Sequence, residues 1–250
     1  MSFMRFLGIN LCEKVPDAKT IWKFKNDLAE TETVDKLFCM FDEHLEKEGL
    51  ISHKGTIVDA PRQRNSRDEN KKIKNGEIPE EWEKPENKSK LAQKDIDADW
   101  TKKNGERHFG YKDHVKCDAD SKLITNYSVT SASVHDSQRC LVFIDQEDEV
   151  LYADSAYSGK PIALALPENC KNQICEKGYR NSPLTSEQKM NNRRKSRIRC
   201  RIEHIFGFMT GAMHGITIRS IGITRAWMNI GITNLVYNFC RYSYLKRASA

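Results

Sequence analysis

No stretch of this 250-residue sequence is apolar for long enough to span a bilayer. The longest apolar runs, "LVFI" (141–144) and "IALAL" (162–166), fall far short of the ~20 residues a spanning helix needs. No leader pattern, basic and then apolar, opens the chain. The expectation is a cytoplasmic protein with no membrane partner. The eight cysteines include no Cys-x-x-Cys pair, and Cys170 and Cys175 stand five apart with no histidine cluster nearby. That pattern argues for reduced structural thiols and against a zinc site. The seven histidines are likewise scattered, and no internal repeat is present.

Charge is unevenly spread. The formal net charge is +6, and the stretch "QKMNNRRKSRIRCR" (188–201) alone holds seven Lys or Arg and no acid, so the rest of the chain is close to neutral. A basic cluster this local is the footprint expected for nucleic-acid phosphates, with a solvated helix face as the plainer alternative. It makes Arg193, Arg194, Lys195, Arg197, Arg199 and Arg201 candidate DNA contacts.

The chain changes character along its length. Residues 1–50 read as helical, with Asp17 a candidate N-cap and Val34, Leu37, Phe38, Phe41 and Leu45 at helical spacing before Gly49. "ISHKGTIVDA" is a β-branched run ending in Asp59, and "LYADSAY" ends likewise in Asp154. Between 61 and 107 about half the residues are charged. This reads as a long excursion, ordered only in part without a partner, with Trp82 and Trp100 as isolated apolar anchors. Its Arg62, Arg64, Arg67, Lys71, Lys72 and Lys74 are phosphate contacts or solvated charges, and its tryptophans are candidates to stack on a base.

Beyond the excursion, two strand-like runs flank the turn-rich "CDADSK", which predicts a hairpin, and Ser133 or Asp136 then begins a helix. A strand at 150–154, an apolar segment at 161–166 and a strand near 172–176 follow. The last third is helical, with Ile198, Ile202, Ile205 and Met209 forming one stripe and "RAWMNIGITNLVYNFCRYSYL" a closing helix.

Three carboxylates stand out by position. Asp59 and Asp154 end strand-like runs, and Glu203 rides the basic helix. Strand ends place side chains at the rim of a sheet, where substrates reach them. Two Asp and one Glu can hold a pair of hard divalent cations, and Mg²⁺ suits such sparse oxygen ligation. Two cations ~3.5–4 Å apart, one at the attacking and one at the leaving oxygen, cut and join phosphodiesters. Each acid has a plainer reading as well. Asp154 can cap a turn, Asp59 can simply end its strand, and Glu203 can pair with Arg199 one helical turn away.

Five blocks, "GTIVDA", "GYKDHVKCDADSKLITNYSVTSASVHDSQ", "YADSAYSG", "KGYRNSPLT" and "RKSRIRCRIEHIFGFM", occur in this order. Together they resemble a bacterial insertion-sequence transposase of the DDE type, in the insertion-sequence-five group, from "SFMRFLGINL" to "NLVYNFCRYSYL". The resemblance implies an α/β fold: a ribonuclease H-like mixed sheet flanked by helices, with an N-terminal helical segment (1–50) and a catalytic domain (51–250) that carries the charged excursion 61–107. It implies that Asp59, Asp154 and Glu203 are the catalytic, metal-binding triad. The cofactor would be two Mg²⁺ ions, with Mn²⁺ as a substitute.

The family signature also has an arginine four residues before the glutamate, here Arg199, which favours a DNA-phosphate or triad-supporting role for it. Two signature positions depart: Ser196 stands where a tyrosine is expected, and Thr210 where a lysine is expected. Family members carry a further helical segment before the "FMRFLG" block, so residues 1–50 are expected to be a truncated DNA-binding region.

The function implied is strand cleavage at transposon ends and strand transfer into target DNA, by a homo-oligomer associated with the nucleoid. The alternative is a truncated remnant that binds DNA without transposing. His135 and Asp136 are read as a helix start that supports the site.

Overall fold

The computed structural model describes residues 2–8, 10, 13–65, 78–103, 105–215 and 217–248. Its N-terminal part follows from local chemistry. After α1 (Ser2–Leu7), helix α2 (Ala18–Glu30) starts where Asp17 Oδ1 accepts the Thr20 amide at 2.7 Å, satisfying one of the helix's open donors. Helix α3 (Thr33–Lys47) buries Val34, Phe38 and Leu45, packs Phe41 partly inward, and leaves Leu37 facing out. Gly49 then turns the chain with φ +67°, a backbone region open to glycine at no steric cost.

Eight strands form one mixed sheet: β1 (Thr56–Asp59), β2 (Arg62–Asn65), β3 (Asp99–Lys103), β4 (Glu106–Asp118), β5 (Ile124–Ser131), β6 (Val150–Ala153), β7 (Lys171–Asn172) and β8 (Thr217–Ile218). The long β4 is its spine. Antiparallel to it, β1 pairs with 115–118 and β2 with 110–112 along one edge, while β5 and β3 pair along the other. β6 adds in parallel to β1, β7 in parallel to β6, and β8 in parallel to β2. The expected hairpin is β4–β5, turning through Lys122 at φ +60°.

Helices cover both faces of the sheet. Ile57, Val115, Cys117, Tyr127 and Val129 pack against Phe38 of α3, against Ile202, Ile205 and Met209 of α9 (Arg201–Gly211), and against α10 (Ile223–Ala248). Val58, Leu151 and Ala153 face the other way, toward Phe143, Tyr157 and Ile162 of α7 (Lys160–Ala165). Coverage on both faces puts the polar residues of β4 in the interior, where each needs a partner. Lys116 pairs with Asp148 at 2.9 Å, and His114 Nε2 meets Thr130 Oγ1 at 2.8 Å. No helix among the described residues is long and apolar enough to cross a membrane.

Over its described part, the charged excursion is built structure rather than open loop. It contributes β2, β3 and two short helices, α4 (Glu80–Glu83) and α5 (Lys88–Leu91). Trp82 is only 4% exposed, beneath the Lys94 ammonium, and Trp100 packs on Phe109 with ring centroids 5.2 Å apart. Trp82 is thus a packing anchor, which corrects the expectation that it stacks on a base, whereas Trp100 stays partly exposed. Arg67, Lys71, Lys72 and Lys74 lie outside the described residues.

Candidate active site

The register of two parallel strands sets the first pair of acids. β1 and β6 align Ile57 with Tyr152 and Val58 with Ala153, so the next position on each chain is Asp59 and Asp154. Side chains alternate along a strand, and Ile57 and Tyr152 both pack toward the α9–α10 side. Asp59 ends β1, where Arg199 reaches it, and Asp154 directly follows β6.

Helix α9 supplies the third acid. Its stripe of Ile202, Ile205 and Met209 is buried against the sheet, as the spacing predicts, and Glu203 stands on the exposed flank. The expected single helix is interrupted at Cys200, so α8 (Ser186–Arg199) and α9 are consecutive. The chain tightens there, with the Glu203 amide donating to the Cys200 carbonyl at 3.0 Å, a three-residue step.

Arg199 connects the elements. One terminal nitrogen lies 3.4 Å from Asp59 Oδ2 and the other 3.2 Å from Glu203 Oε1. The plain i,i+4 pair is therefore present, yet it is half of a bridge that reaches the sheet. Asp154 likewise keeps its plain role, since its Oδ1 accepts the Ser155 amide at 2.6 Å and caps the short turn Ser155–Tyr157. Asp59 Oδ1 accepts the Ala60 amide at 2.8 Å.

The three acids do not all touch. Among the described residues, the group of possible metal-ligand atoms that all lie within 4.8 Å of one another is Glu46, His53 and Glu147, at a different place in the fold. The donor set Asp59, Asp154 and Glu203 nonetheless fits hard cations. It is all carboxylate oxygen and partly solvent-open, and two of its members already gather around a positive charge, the Arg199 guanidinium.

Behind the acids is a residue that sequence spacing does not single out. Tyr157 is 1% exposed, and among the described residues its hydroxyl has no hydrogen-bond partner. Burial raises its phenol well above the ordinary range, and the charges of Asp59, Asp136 and Asp154 push the same way. Asp136 precedes α6 (Ser137–Cys140) and pairs with the buried Lys112 at 2.8 Å, whose ammonium also donates to the Val134 carbonyl at 2.5 Å. His135 is exposed and sits 2.8 Å from Ser137 Oγ. The Lys112–Asp136 pair escapes sequence reading because Lys112 belongs to a strand whose neighbours give no sign of burial.

The basic helix divides by partner. Thr185 and Gln188 form a reciprocal capping box at its start, a T-x-x-Q signature that was readable in the sequence. Arg193, Arg194 and Arg197 are exposed, and among the described residues none of them pairs with an acid. Lys195 donates to the Ile174 carbonyl at 2.9 Å, and Arg201 to the Ala119 carbonyl and Asp120 at 2.8 and 2.9 Å, so both are committed within the fold. Thr210 Oγ1 donates to the Phe206 carbonyl at 2.7 Å, and Ser196 Oγ lies 3.8 Å from Cys175 Sγ.

Compared with known families, residues 51–239 match the transposase DDE domain. No solved structure matches the chain.

Proposed function

Because this chain belongs to the transposase DDE domain family, we propose that it cleaves DNA strands at transposon ends and transfers them into target DNA, with Asp59, Asp154 and Glu203 as its catalytic acids. The observation that carries this reading is the pairing of β1 with β6. It supports the reading by bringing together the ends of adjacent strands, where Asp59 and Asp154 follow Val58 and Ala153, with Glu203 linked to Asp59 through Arg199. Three antiparallel strands followed by two parallel ones, in the order β5-β4-β1-β6-β7, support a ribonuclease H-like core.

The three carboxylates would hold Mg²⁺, or Mn²⁺ in its place. When bound, such a pair of ions activates an attacking oxygen and stabilises a leaving one. The protein's own part is positional. Asp59 and Asp154 each accept the next backbone amide through Oδ1, which limits the rotation of both carboxylates. Arg199 neutralises part of the local negative charge that would otherwise repel a phosphodiester, and the exposed Arg193, Arg194 and Arg197 offer positive charge to the flanking phosphates. Water is the first nucleophile at an element end, and the freed 3′ hydroxyl is the second, at target DNA. Two ends must be held together for that exchange, which favours a homo-oligomer.

The test is nicking of a duplex carrying the element's terminal repeat in Mg²⁺, by the wild-type protein and by Asp154→Asn. Loss of the 3′-hydroxyl product, with an unchanged circular dichroism spectrum, is expected. Undiminished cleavage by the variant would remove Asp154 from the chemistry.

A further inference from the structure

We propose that Glu46, His53 and Glu147 form a second cation site, of the kind that takes zinc, which clips the end of α3 to the loop leading into β6. The three residues come from separate elements: Glu46 from the last turns of α3, His53 from the α3–β1 connection, and Glu147 from the loop before β6. That dispersal is why no spacing motif marks them. The backbone holds the two loops together independently, because the Glu149 amide donates to the His53 carbonyl at 3.0 Å.

The spacing allows one ion to be shared by the three residues. His53 Nε2 lies 3.1 Å from Glu46 Oε1 and 3.5 Å from Glu147 Oε2, and all three ligand atoms are mutually within 4.8 Å. Zinc bonds of ~2.0–2.2 Å at tetrahedral angles separate adjacent ligands by roughly 3.3–3.5 Å. One imidazole nitrogen with two carboxylates is a zinc-type donor set with a fourth position open to water.

Two further observations point to a cation here. A hollow of about 240 Å³ adjoins the cluster, lined among others by Asp42, Glu46, His53 and Asp145. Asp42 Oδ1 is closed off from solvent and has no hydrogen-bond partner among the described residues. Lys116 also lines the hollow, but its ammonium is taken by Asp148 at 2.9 Å.

The experiment is thermal unfolding of the full chain with EDTA or with zinc, alongside a Co²⁺ titration followed by visible absorption. The variants are His53→Gln, Glu147→Gln and Asp154→Asn. Glu147 is largely exposed, so its variant keeps the test informative if His53→Gln fails to fold. With free zinc about 100-fold above its Kd, the wild-type melting temperature should rise by roughly 5 °C or more. Asp154→Asn should show the same rise, which separates this site from the proposed catalytic one. Glu147→Gln and His53→Gln should lose both the rise and the intense absorption of tetrahedral cobalt. No rise in the wild type, or a rise that persists in Glu147→Gln, overturns the proposal, the latter marking an adventitious ion only.

Discussion

Arg199 and Asp59 are 140 residues apart in sequence, and the fold brings the guanidinium to 3.4 Å from the carboxylate. A side chain whose helical neighbour Glu203 already offers a partner is thus drawn across to the end of the central sheet. The arrangement puts a fixed positive charge among acids that would otherwise repel each other and any incoming phosphate.

On the proposed function, Arg199→Gln should weaken DNA binding and lower the magnitude of the salt dependence, with the slope of log K against log salt falling by about 0.9 for one lost phosphate contact. Fluorescence anisotropy with duplex DNA across a salt series reads both quantities. An unaltered slope would leave Arg199 as a purely internal tie.

Tyr157→Phe deletes a buried hydroxyl that has no partner among the described residues. No bond is lost, so stability should change by less than about 0.5 kcal/mol or improve slightly. Urea unfolding decides it, since a loss above about 1 kcal/mol would reveal a bound water on that oxygen.

Asp113 is fully buried, and burial pushes its carboxyl up to about 7, against the Asn234 amide that donates to it at 3.2 Å. Among the described residues Asp113 Oδ2 and Asn234 Oδ1 are both without partners, and a proton on Oδ2 is the donor that would satisfy the pair. The folded state therefore favours the protonated acid. Its stabilisation is complete below the unfolded value near 3.8 and is lost as pH rises through about 7. His114 acts oppositely, because burial lowers it from 6.5 to about 4, so its contribution is lost as pH falls through that window. Asp113→Asn isolates the first effect. The stability difference between Asp113→Asn and the wild type, measured by urea melts at pH 5 and pH 8, should shift in favour of the variant at the higher pH.

Gly231 in α10 has no room for a methyl group, because a β-carbon there would run into the Tyr127 hydroxyl and Val34. That hydroxyl donates to Asp35, which also accepts from Trp227 Nε1 at 2.9 Å. Gly231→Ala should cost about 1–3 kcal/mol or more. Adding Tyr127→Phe should recover part of the loss, and a double-mutant cycle of melting curves measures how much.

The sequence by itself determined the features that depend on near neighbours. Asp17 caps α2, Gly49 stops α3, the stripe of Ile202, Ile205 and Met209 faces inward, β1 ends at Asp59, and Asp154 caps the turn just past β6, because caps and periodicities are set within a turn or two of the chain. Only the tertiary structure decided that those strands are parallel neighbours, that Arg199 spans two acids, and that Trp82 is enclosed rather than displayed. It also decided that Lys112, Asp113, His114 and Lys116 of β4 are interior. Strand pairing and coverage of both sheet faces depend on contacts between segments far apart in sequence, and a residue's own neighbours carry no record of them.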